Sequence, residues 1–92
     1  MTLVTAEEVR SVVLAQVGEE LSALGLAADE VTDDLDLLYE GVIDSLGLIE
    51  IINTLEERYG TELDFEDIDP DDITVLGPFC RHVERQVNAA QG

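Results

Sequence analysis

Apolar residues at Val9, Val12, Val13, Val17, Leu21 and Leu24 recur three or four positions apart. That spacing puts side chains on one stripe of a helix and predicts a first helix over about Ala6–Leu24. Thr5 followed by Glu8 has the capping-box spacing, Glu7 and Glu8 suit the positive end of the helix dipole, and Gly25 is a stop. A second stripe, Leu48, Ile51, Ile52, Leu55 and Tyr59, predicts a helix that begins at Asp44 or Ser45 and ends near Tyr59 before Gly60. Phe79, Val83 and Val87, flanked by Leu76 and Cys80, mark a last helix that starts between Thr74 and Pro78. The tail from Asn88 to Gly92 is expected to fray.

Between these stripes the periodicity weakens. Leu26 to Ile43 is rich in Asp and Gly, yet Leu35, Leu37, Leu38, Val42 and Ile43 are apolar enough to anchor it, so a long packed loop is expected. Leu63, Phe65 and Ile68 alternate with acids in Thr61–Asp69; one unpaired strand is unstable, so this too reads as loop. Asp69 followed by Pro70 places a cap before a first-turn proline, the start of a short helix. The sum is an all-α fold, a small antiparallel four-helix bundle of three main helices and one short one, with a long loop between the first two main helices. Residues 1–92 read as a single domain, ordered over about residues 5–88.

Charge narrows the function. Acids outnumber basic residues 22 to 4, a formal charge of −18, which repels nucleic acid and anionic membrane and attracts surfaces bearing Lys and Arg. A hydrophobic content of 46% in periodic blocks supports a folded domain rather than disorder. One cysteine, Cys80, and one histidine, His82, exclude a disulfide framework and a Cys/His metal site. The absence of a basic-then-apolar start and of a long apolar run indicates neither secretion nor membrane insertion; a cytoplasmic chain fits, and a monomer is expected. Cys80 reads as a buried packing thiol, and Tyr39 and Tyr59 as core or boundary aromatics. The acids of residues 62–72 fail the spacing of a calcium-binding loop, so no metal site is expected.

The chemistry concentrates at Ser45, a hydroxyl after Asp44 at the start of the second main helix. No Gly-x-Ser-x-Gly elbow surrounds it, and His82, read as a surface or half-buried residue, has no neighbour that marks it as a base. Self-contained hydrolase chemistry is therefore not expected. A helix start instead favours an added phosphate, through free amides and the dipole. Asp44 is suited to cap the helix or to help position a metal ion brought by a modifying enzyme.

The run Gly41-Val42-Ile43-Asp44-Ser45-Leu46-Gly47-Leu48-Ile49-Glu50 resembles the attachment motif of the acyl carrier and peptidyl carrier protein family. The likeness extends over most of the chain, from Leu35-x-Leu37-Leu38 through Ile51–Gly60 to Ile73 and the final helix. It implies that Ser45 receives 4′-phosphopantetheine from coenzyme A through a phosphopantetheinyl transferase with Mg²⁺. It also implies a non-catalytic, discrete carrier that holds acyl or aminoacyl groups as thioesters. Its partners are then a loading ligase or acyltransferase and downstream synthases or transferases with basic docking surfaces. Leu46, Ile49, Glu50, Asn53 and Glu57 share a helix stripe that looks like the family's recognition face, with Glu56 adding to the acidic steering of partners. Gly47 stands where fatty-acid carriers often have Asp, and Asn53 is polar where they place an apolar residue near the cargo. Both features, with a likeness to D-alanyl carrier proteins, point away from long lipid cargo and toward polyketide, nonribosomal peptide or related biosynthesis. The rival reading is an unmodified helical interaction module that docks through the same face.

Overall fold

The computed structural model describes residues 3–91, and among them the chain forms four α-helices and no strand. They are α1 (Ala6–Gln16), α2 (Gly18–Ala23), α3 (Ser45–Tyr59) and α4 (Leu76–Gln91), with a single 3-10 turn at Ala28–Glu30. The core is a single cluster in which Val9 and Val13 of α1, Leu21 of α2, Ile51 and Leu55 of α3, and Phe79, Val83 and Val87 of α4 are buried together.

The first helical stretch is two helices rather than one. Thr5 caps α1 as its sequence requires, accepting the Glu8 N–H at 3.2 Å. At Val17 (φ −102°, ψ 17°) the helix breaks and restarts at Gly18. Glycine is the low-propensity position at which such a stretch turns, and Val17 and Leu21 stay buried on both sides of the break, so the stripe continues through it. The stretch ends in a Schellman motif, with Leu26 N–H bonded to Leu21 C=O and Gly25 at φ +76°. Leu24, expected on the stripe, is instead exposed.

α1 packs on α4 in the antiparallel sense. Near the start of α1, Val4 and Asn88 exchange two hydrogen bonds of 2.9 Å. Further along, Arg10 and Arg81 share Asp33 at 3.6 and 3.9 Å. The tail, expected to fray from Asn88, is helical as far as Gln91, with Asn88 clasped to Val4; Gly92 lies outside the described residues. Pro78 is accommodated because it sits in the first turn, ahead of the first intrahelical bond, Phe79 N–H to Val75 C=O.

Both connections are tied to α4. Leu37 N–H bonds to Thr74 C=O and Leu76 N–H to Leu35 C=O, an isolated antiparallel bridge that pins the loop before α3 to the start of α4. The short helix expected at Asp69 does not form. Asp69 does accept the Asp71 N–H at 2.9 Å, but the segment closes only turns, from Asp72 to Asp69 and from Val75 to Asp72. Three acids crowd that one turn, and the Thr74 carbonyl is committed to Leu37, so the costly helical nucleus gains nothing to extend it.

His82 is 3% exposed, not at the surface. Its Nε2–H donates to Asp64 C=O at 2.5 Å, and its ring packs 5.2 Å from Phe65, which in turn stacks on Phe79. Gln86 accepts the Asp64 N–H at 2.8 Å, so α4 holds the 61–69 segment by side chains where no strand partner exists.

Candidate attachment site

The helix that carries Ser45 is fixed from both ends. At its C-terminus Gly60 adopts the left-handed conformation (φ +64°). At its start Asp44 is extended (φ −102°, ψ −176°), and its Oδ1 accepts the Gly47 N–H at 2.7 Å, the N-cap geometry its sequence suggests. Ser45 is therefore the first helical residue and not the cap. It is exposed, in a turn whose amides precede the first intrahelical bond, Leu48 N–H to Asp44 C=O. Gly47 belongs to this cap: a Cβ there would lie 3.1 Å from Ile43 Cβ and 3.3 Å from Asp44 Oδ1. The glycine thus lets the cap close tightly over the chain that precedes it.

That preceding chain is a hydrogen-bonded turn. Asp36 Oδ1 accepts the N–H groups of Leu38 and Tyr39 and the Thr74 hydroxyl, at 3.1, 3.0 and 2.7 Å. The bond from Tyr39, then that from Thr74, holds the Asp36 carboxyl below the usual carboxylate range. Val42 and Ile43 both donate to Leu37 C=O, and buried Leu37 and Val42 plug the turn into the core. Leu38 and Tyr39 do not: Leu38 is exposed, and Tyr39, expected in the core or at its boundary, is 85% exposed.

Beside Ser45 a groove of about 590 Å³ runs between the α1–α2 break and the first turn of α3, with Gln16, Val17 and Glu20 on one side and Gly47, Glu50 and Ile51 on the other. On α3, Leu46 and Ile49 are 63% and 53% exposed, with Glu50, Asn53 and Glu57 exposed along the same stripe. Glu56 stands apart from them. It is half-buried and accepts the Leu63 N–H at 2.8 Å, which ties the end of α3 to the next segment. Asn53, on that stripe, faces solvent beside Glu57 and Gly60.

The family model described as phosphopantetheine attachment site matches residues 12–83, a span from within α1 into α4 with the Asp44–Ser45 turn inside it. The chain belongs to this family. Its covalent group is 4′-phosphopantetheine, and carrier domains of this kind are generally non-catalytic and work with modifying and synthase enzymes. No solved structure matches the chain significantly.

The exposed hydroxyl at a helix start fits such a group, since a phosphodiester there would face free amides and the positive end of the α3 dipole. The position of His82 agrees with a carrier rather than a hydrolase. Its Nε2–H is bonded to a backbone carbonyl and its Nδ1 faces Arg85 at 3.5 Å, so neither nitrogen is free to take a proton from serine. Among the described residues, no helix is long and apolar enough to cross a membrane.

Proposed function

We propose that this protein is an acyl or aminoacyl carrier of polyketide, nonribosomal peptide or related biosynthesis in the cytoplasm, with Ser45 as the attachment residue. What supports this reading is one juxtaposition: an exposed serine as the first residue of a capped helix, inside the span that the family model matches. In the loading step the Ser45 Oγ forms a bond to the β-phosphorus of coenzyme A, the phosphoanhydride bond to the departing 3′,5′-ADP breaks, and the hydroxyl proton passes to a base of the transferase. When bound, the arm supplies a terminal thiol that holds cargo as a thioester. The protein contributes reach and presentation, because a tethered group has a high effective concentration at each partner's active site.

Leu46 and Ile49 offer apolar contacts to partners, and Glu50 and Glu57 steer basic surfaces toward them. Glu56 serves the fold first, through Leu63. Such partners are the transferase, a loading ligase or acyltransferase, and a downstream synthase. Incubation with coenzyme A, Mg²⁺ and a phosphopantetheinyl transferase should add one phosphopantetheine mass to the intact chain, and Ser45→Ala should add none. Mass addition that persists in Ser45→Ala would move the site elsewhere.

A further inference from the structure

Six large hydrophobic side chains are exposed among the described residues, and two of them, Leu3 and Leu24, are scattered. The other four, Leu38, Tyr39, Leu46 and Ile49, bracket Ser45 in the sequence. The most exposed is Tyr39, and it does not lie on a loose loop. Its own N–H and that of Leu38 are bonded to Asp36, Glu40 N–H bonds to Asp36 C=O, and Gly41 closes the turn at φ +78° by bonding to Leu38 C=O. A large amphipathic ring held out at 85% exposure on a hydrogen-bonded turn contributes little to the core. It loses little entropy when a partner covers it.

The turn leads through Val42 and Ile43 into Asp44. Six extended residues span at most ~20 Å, and this stretch is folded on itself, so a partner that docks at Ser45 has Tyr39 within reach. Charge selects the occupant. From Asp34 to Glu57 the chain carries seven acids and no Lys, Arg or His. A second copy of this chain or an anionic lipid surface would meet like charge here, whereas an enzyme with an apolar socket rimmed by Lys and Arg would not.

We propose that Tyr39, supported by Leu38, is a second docking anchor for the phosphopantetheinyl transferase, so that the enzyme grips the loop before Ser45 as well as Leu46 and Ile49 after it. The proposal rests on the reading of Ser45 as the attachment residue. Tyr39→Ala and Tyr39→Phe are compared with the unmodified wild-type chain in conversion by a purified transferase with coenzyme A and Mg²⁺, alongside thermal unfolding of each. Tyr39→Ala should lower kcat/KM for the carrier about tenfold, through KM with kcat nearly unchanged, while Tyr39→Phe stays within about twofold of wild type and all three melt together. Equal conversion of Tyr39→Ala and wild type would overturn the anchor and leave the attachment site standing. A loss accompanied by a lower melting temperature would overturn it in favour of a structural role. No conversion of wild type at all would remove the attachment reading and the anchor with it.

Discussion

The Cys80 thiol, 2% exposed in the first half of α4, is chemically silent for a physical reason. Burial, followed by the nearby negative charge of Asp33, pushes it up to about 12, so the nucleophilic thiolate is negligible at neutral pH. A carrier has use for this arrangement, because cargo is exchanged on the thiol of the arm, and a second reactive thiol on the same chain would intercept it. At pH 7.5 a maleimide should therefore leave the folded apo chain unlabelled, label the phosphopantetheine-loaded chain once, and label both one further time in denaturant. Intact mass reads all three states. Rapid labelling of the native apo chain would show that the α4 packing opens readily around Cys80.

At the scale of elements, the staple between the Asp36 turn and the start of α4 decides how firmly the helix bearing Ser45 is presented. One carboxylate holds two backbone N–H groups and the Thr74 hydroxyl. Asp36→Asn should cost about 1 kcal/mol at pH 7, the scale of a weakened charge-assisted hydrogen bond. The pH dependence has a definite sign. Because the folded carboxyl is held below its unfolded value near 4, the unfolded chain binds more protons in that window. The stabilisation is complete above that value and is lost as pH falls through the lower folded one. The gap between wild type and Asp36→Asn in denaturant titrations should be constant from pH 5 to 8 and close below pH 4. A difference measurement is needed because protonating the other acids relieves repulsion in both proteins alike. The same staple marks where sequence stops being informative. α3 and α4 were legible because a 3.6-residue stripe and local caps, Asp44 and Gly60 for α3, agree on one answer. The break at Val17 was not, since the apolar stripe runs through it unchanged. Nor was the loss of the short helix at Asp69, because the competitor for Thr74 lies at Leu37, far away in the chain. At the candidate site, the helix start at Ser45 and its Asp44 cap were readable from adjacent residues. The exposure of Tyr39, the burial of His82 and the engagement of Glu56 with Leu63 depend on what packs where, which periodicity along one chain does not encode.

At the scale of the whole molecule, a charge of −18 acts on stability and on encounter with opposite signs of salt dependence. The compact chain repels itself, and it has little ionic attraction to set against that: the two ion pairs found among the described residues converge on Asp33 at 3.6 and 3.9 Å and are partly solvated. Screening these pairs forfeits little, while screening the excess acids removes repulsion, as the Debye length falls from about 10 Å at 0.1 M salt to about 3 Å at 1 M. The melting temperature should therefore rise with sodium chloride over that range. Association with a basic partner works the other way, since the field of the acid-only stretch from Asp34 to Glu57 is what accelerates encounter, and it fades over the same range. Conversion by the transferase at limiting carrier concentration should slow as salt stabilises the fold. Measuring melting and conversion on the same samples, with the enzyme's own salt response corrected using a coenzyme A analogue assay, separates the two effects. A melting temperature that falls with salt would mean that attraction around Asp33 outweighs the repulsion. Conversion independent of salt would mean that the apolar anchors, not the acids, govern docking.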